Sequence, residues 1–256
     1  MGGPTEPATV PGLPFDLAPV TVVVGHYGVG KTTFALNLAL DAAAAGQAVT
    51  LADMDVVNPY FRSSEYGALL AERGVRLIAP VFAGAGTSLD VPSLTGALGP
   101  AVEAAYGWEG GAGGSPAGRP AVIVDAGGDD VGATALARFA PAIRAGDYAL
   151  LYVVNAFRNL TREPAGALAV LREIEAQSGL AATAVVNNSH LQGETTLGHI
   201  QDSVPFAQAV AAQAGVPLAC TTVPKSAIRR ENTGSGLLGS VPCGYPVEVL
   251  VAPPWG

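Results

Sequence analysis

The chain is short of charge and, within that, short of lysine. Charged residues make up 13% of its 256 positions against 49% apolar ones, and lysine occurs only at Lys31 and Lys225. A formal net charge of −8 argues against any general affinity for DNA, RNA or anionic lipid, which needs clustered positive charge. No apolar run is long enough to span a bilayer, and the opening residues have neither a basic region nor a compact apolar core. The expected location is therefore cytoplasmic. Cysteine occurs only at Cys220 and Cys243, which make neither a disulfide scaffold nor a metal pattern and read as free, buried thiols.

What the chain does have is apolar runs alternating with helical patterns. Strands are expected over 20–24, 48–52, 75–79, 121–124, 148–154, 183–186, 218–222 and 247–251. Helices are expected over 32–45, 94–105, 134–144, 164–177 and 205–214. Continuous apolar strands suit a sheet covered on both faces, so the expected class is α/β, a three-layer fold with a mostly parallel sheet of about seven or eight strands. Residues 1–18 read as a flexible leader, 19–256 as one domain, and 107–120 as a Gly- and Pro-rich insertion.

The most informative stretch is Gly25-His26-Tyr27-Gly28-Val29-Gly30-Lys31-Thr32-Thr33, which follows Val22-Val23-Val24 and opens a helical pattern. This is a phosphate-binding loop in its strand–loop–helix setting. Glycines let successive N–H groups converge on one anion, and the helix adds the positive end of its dipole. Lys31 can reach β- and γ-phosphate oxygens, and the Thr32 hydroxyl can ligate Mg2+.

Two further strands end in carboxylates. Leu51-Ala52 runs into Asp53-Met54-Asp55, and 121–124 runs into Asp125-Ala126-Gly127-Gly128. Ligands of open parallel sheets sit beyond the carboxyl ends of the strands, which puts these acids beside the loop. There they can anchor Mg2+ or orient the attacking water; one of the first pair can instead cap a turn. The glycines would allow backbone approach to the γ-phosphate. Asn187 and Asn188, after the strand at 183–186, suggest a base-recognition corner in which an amide meets an adenine edge, or else a simple Asx turn. A guanine site would call for a carboxylate where His190 stands, which favours ATP over GTP.

Together these residues resemble the MinD/ParA group of phosphate-loop ATPases, with its cobyrinate-synthetase-like members. Residues 25–33 look like that group's deviant loop, Asp53-Met54-Asp55 like the aspartates after its second strand, and Asp125 like its second carboxylate. The resemblance covers nearly all of 19–253, and Asn58-Pro59-Tyr60-Phe61-Arg62 resembles the first switch region of an uncharacterised branch. It implies a phosphate-loop NTPase fold, ATP with Mg2+ as cofactors, slow hydrolysis and an ATP-dependent homodimer. Carried over, Lys31 binds phosphate, Thr32 the metal and Asp55 the attacking water, while Asp53 and Asp125 support the metal. Many members have a second lysine after the first glycine. Here that position is His26, mostly neutral at pH 7, and Arg62 is a candidate substitute.

The leading expectation is a nucleotide-dependent switch acting on a protein client, without nucleic acid or membrane, since no basic amphipathic helix is present. The alternatives are a biosynthetic enzyme that activates a carboxylate with ATP and a nucleotide-binding module without turnover. The cluster Lys225, Arg229 and Arg230 either closes over the nucleotide or lies in solvent.

Overall fold

Four valines and Thr21, Val20–Val24, form strand β1 and are buried along their whole length. Val20, Val22 and Val24 join one apolar cluster and Val23 the other, so the strand feeds a core on each face of its sheet. That two-sided burial is why the run is valine at every position but Thr21. A computed structural model describes residues 12–54, 66–81, 93–94, 96–108, 118–128, 130–230 and 236–250.

After β1 come α1 (Lys31–Ala44), β2 (Ala48–Met54), α2 (Gly67–Glu72), β3 (Arg76–Ile78) and the short β4 (Pro80–Val81) and β5 (Ser93–Leu94). Then follow α3 (Leu98–Tyr106), β6 (Pro120–Ala126), α4 (Asp130–Ala137), α5 (Ala140–Ile143), β7 (Tyr148–Val154) and α6 (Pro164–Ser178). The chain continues through β8 (Ala184–Asn187), α7 (Leu197–Ala214), β9 (Leu218–Pro224), α8 (Lys225–Arg230), α9 (Gly236–Gly239) and β10 (Gly244–Val247). Eight strands make one sheet in the order β10-β9-β8-β7-β1-β6-β2-β3, every neighbouring pair parallel, while β4 and β5 pair antiparallel by themselves. From β1 the chain works outward to β2 and β3, returns through β6, and then runs the other way through β7 to β10. The reversal at β6, β1 and β7 is a topological switch point, where such sheets open a crevice at the carboxyl ends of their strands.

The α/β class holds and the eight-stranded sheet is wholly parallel; seven strands fall where expected, and the eighth, expected over 247–251, lies at Gly244–Val247. Helix α1 covers one face and α3, α4, α5, α6 and α7 the other. Helix α1 is buried from Lys31 through Ala39, because the segment around β10 closes over it. Phe34 meets Tyr245 edge to face at 6.2 Å, and the Tyr245 hydroxyl donates to Asp41 at 2.6 Å.

Several boundaries differ from expectation, each for a local reason. The last strand ends at Val247, because Glu248 leaves the sheet to exchange two hydrogen bonds with the Asn37 amide, at 2.8 and 2.9 Å. The helix expected over 134–144 is two, with Pro141 in the first turn of α5, where its missing N–H costs nothing. The helix expected over 94–105 begins at Leu98, since Leu94 pairs with Pro80. Helix α7 starts eight residues before Pro205, at Leu197. Thr196 caps it, accepting from the His199 N–H, while His199 Nδ1 accepts from the Thr196 N–H. Within the expected leader, Leu17 is buried and Leu13 and Phe15 pack on the α1-side core. The rest of that leader (1–11) and most of the expected insertion (109–117) lie outside the described residues.

Candidate nucleotide-binding site

The loop between β1 and α1 depends on glycine at three positions. Gly25, Gly28 and Gly30 have φ of 154°, 73° and 88°, a region L side chains rarely adopt. A Cβ on Gly25 would stand 2.4 Å from the Val153 carbonyl oxygen, and one on Gly30 would meet Asn188 Nδ2. The chain turns directly from the loop into α1, where the Phe34 N–H donates to the Gly30 carbonyl at 3.1 Å. Lys31, Thr32 and Thr33 are buried in the first turn, and Lys31 Nζ lies 3.2 Å from the His26 carbonyl oxygen to which it donates. Val29 is buried, whereas Tyr27 stands 60% exposed on the crest of the loop. Burial first, and then the Lys31 charge, hold the His26 imidazole below its ordinary pKa, so it is neutral at pH 7.

On one flank lie the acids. Asp53 in β2 and Asp125 in β6 are partners in the ladder and fully buried. Their strand neighbours place both on the α1 face, because Leu51 and Ile123 belong to that core and Met54 and Ala126 to the other. The two carboxylates in register, and the Thr32 hydroxyl in the first turn of α1, are oxygen donors of the kind a hard divalent cation such as Mg2+ takes. Asp55, expected beside them, lies outside the described residues, as does the 58–62 segment with Arg62. Gly128, at the end of the same β6 segment, backs onto the loop. A Cβ there would fall 2.1 Å from the Gly25 carbonyl oxygen and 2.9 Å from Lys31 Nζ.

On the other flank lie amides. The structure gives Asn187 and Asn188 work inside the protein. Asn188 donates its amide N–H to the Val29 carbonyl at 2.7 Å and accepts at Oδ1 from the Thr222 hydroxyl at 2.6 Å. It ties β8 and β9 to the loop. Asn187 donates to Ser203 at 2.9 Å and accepts from the Ser189 N–H at 3.3 Å. Both side chains are buried, with each amide's donor and acceptor engaged, so a role at an adenine edge finds no support in this geometry. His190 differs. It is 7% exposed, and neither ring nitrogen has a hydrogen-bond partner among the described residues. Burial, aided by the positive charge of Arg158, lowers its pKa to about 4.

Sequence reasoning missed the connection after β7. Asn155 accepts from the Phe157 N–H at Oδ1 (2.9 Å), Ser189 accepts from the Ala156 N–H (2.9 Å), and the resulting turn lays Arg158 against Gly28. The one available signal was an Asn-Ala-Phe-Arg run at the carboxyl end of a strand beside the loop.

The basic cluster is held by the protein itself. Lys225 and Arg229 approach Glu248 at 4.0 and 3.6 Å, and Arg230 donates to the Thr195 carbonyl at 3.2 Å. Both cysteines are free, but only Cys220 is buried, which raises its pKa and leaves it a poor nucleophile, whereas Cys243, expected buried, is exposed. No helix among the described residues is long and apolar enough to cross a membrane.

No curated protein matches the chain in sequence. Among solved structures it is similar to FtsY from Mycoplasma mycoides, at 15% identity and a TM-score of 0.52, over 79% of this chain and 58% of that one. It is also similar to the signal recognition particle 54 kDa protein from Aeropyrum pernix in complex with GDP, at 20% identity and a TM-score of 0.50, over 88% of this chain and 47% of that one. The chain thus covers less than two thirds of either structure, and at such identity the likeness shows a shared phosphate-loop NTPase fold. A model of the CobQ/CobB/MinD/ParA nucleotide binding domain matches residues 20–214, from the first strand through α7, and the chain belongs to that family.

Proposed function

We propose that the chain is a Mg-ATP-binding ATPase of the MinD/ParA type, whose bound nucleotide governs contact with a second copy of itself and with a protein client. One observation carries the reading. Asp53 and Asp125 stand in register on the α1 face, and Gly128 from the same β6 segment touches both the loop backbone and Lys31. A γ-phosphate held by Lys31 and Mg2+ would therefore press on the segment after β6, the kind of contact that switch proteins use. In this role Lys31, Asp53 and Asp55 serve hydrolysis, Thr32, Asp53 and Asp125 hold the metal, and 25–33 cradle the phosphates.

Contact with a protein is favoured by the surface around the loop. The exposed large apolar side chains among the described residues are Tyr27, Leu160 and Leu191, on connections that follow the adjacent strands β1, β7 and β8. ATP rather than GTP is favoured by the imidazole of His190 where a guanine site would want a carboxylate, although the fold relative from Aeropyrum pernix holds GDP.

Phosphate release from MgATP and MgGTP, with wild type and Lys31→Ala, tests the reading. Release from ATP that depends on Lys31 and falls at least tenfold in the variant is the expected result. Equal release by the two proteins, or turnover of GTP alone, would refute it.

A further inference from the structure

We propose that Arg158 is a phosphate-binding residue, supplying from the connection after β7 the second positive charge that His26 does not carry. This rests on the nucleotide reading above and adds a ligand contact to it. The Arg158 guanidinium lies along the loop: a Cβ on Gly28 would stand 3.5 Å from its Cζ and 3.7 Å from both Nε and one terminal nitrogen. Three guanidinium atoms at nearly equal range mean that the plane is laid on the glycine, not extended away from it. Gly28, at φ 73°, is one of the three loop residues that only glycine suits.

The placement is built. The Arg158 N–H donates to the Asn155 carbonyl at 3.2 Å, and the Thr161 N–H donates to the Arg158 carbonyl at 3.1 Å. The Asn155 amide in turn reaches the His190 carbonyl at 3.4 Å, which fixes the turn to β8. The side chain itself is exposed, and among the described residues it makes no ion pair, in contrast to Lys225 and Arg229, which share Glu248.

Arg158 joins loop N–H groups and the head of α1 on the side of the loop away from Asp53 and Asp125, a set of donors that suits an anion. Its influence inside the site is visible at His190, whose imidazole it helps to keep neutral. A polyphosphate in the loop would give the fork of guanidinium N–H groups two oxygens at once, which an ammonium cannot match.

The test compares wild type, Arg158→Gln and Arg158→Lys for binding of MgATP and of inorganic tripolyphosphate, read by displacement of a fluorescent nucleotide. Arg158→Gln should weaken both probes by roughly tenfold or more, Arg158→Lys should recover part of that loss, and the difference should shrink in high salt. Binding of both probes within twofold of wild type overturns the proposal, as does a loss seen with MgATP but not with tripolyphosphate. A wild-type chain that binds neither probe overturns the nucleotide reading with it. A binding wild type with an unchanged Arg158→Gln overturns this assignment alone.

Discussion

The strand that carries the phosphate loop has unlike neighbours. Toward β6 and β2 the chain brings Asp53, Asp125 and the bare backbone of Gly128. Toward β7 and β8 it brings Asn155, Arg158, Asn188 and His190. The first flank is acidic, tightly closed on the loop and suited to a metal. The second is a network of amide and hydroxyl hydrogen bonds that fixes the shape of the loop and lays a cation on it. Under the proposed function the two would divide the work, the acids holding the metal and Arg158 facing the phosphates from the other side.

The sharpest way to break this comparison is to add one methyl group on each side. Gly128→Ala puts a Cβ 2.1 Å from the Gly25 carbonyl oxygen, a backbone atom that cannot swing aside. A loss of roughly 3 kcal/mol or more is expected, which for a chain of this size lowers Tm by roughly 6–12 °C and takes nucleotide binding with it. Gly30→Ala strains a positive φ at a cost of about 1–2 kcal/mol and collides with Asn188 Nδ2, the movable end of a side chain. Adding Asn188→Ala should therefore recover part of the Gly30→Ala loss but none of the Gly128→Ala loss. Equal melts for the two glycine variants would mean that the flanks close on the loop alike.

Acid separates the flanks next. His190 titrates near 6.5 when unfolded and at about 4 when folded, so between those values the unfolded chain binds the extra proton and stability rises with pH. Stability is lost as pH falls through that window, by roughly 2 kcal/mol between pH 7 and pH 5 from this group alone. Urea unfolding of wild type and His190→Gln at the two pH values measures it. The variant should lose that much less on acidification, and parallel losses would show that the imidazole is not buried neutral.

The two flanks were unequally legible in the sequence. Asp53 and Asp125 each close an apolar run, and that local pattern set them just past their strands, whereas the structure has each inside its strand, one residue from the end. The strands were readable because burial on both faces leaves a mostly apolar signature, broken only by residues such as Thr21 and Thr50, and the loop glycines because they cluster before Lys31. The amide flank is assembled from a distance: Asn188 lies 159 residues from the Val29 carbonyl it holds. Position alone marked Asn187 and Asn188 as polar residues at a strand end, but nothing local says whether an amide faces a ligand or the protein. Arg158 had the same handicap, since its meaning comes from Gly28 across the sheet. Proline misled the helix boundaries too: Pro205 reads as a start, yet it sits inside α7, whose true start is set by Thr196 and His199.

The smallest expected effect tests whether the amide flank acts as one unit. Thr222→Val keeps the shape of the side chain and removes the hydroxyl whose single proton goes to Asn188 Oδ1 at 2.6 Å, with the Asn187 carbonyl 3.3 Å away. The cost should be about 1 kcal/mol, with the amide of Asn188 still able to hold Val29 through its own N–H. Asn188→Ala removes both links and should cost more. If the hydroxyl matters only through Asn188, Thr222→Val will cost almost nothing in the Asn188→Ala background, a coupling that a double-mutant cycle reads directly. Additive losses would show instead that β9 is tied to β8 independently of the loop.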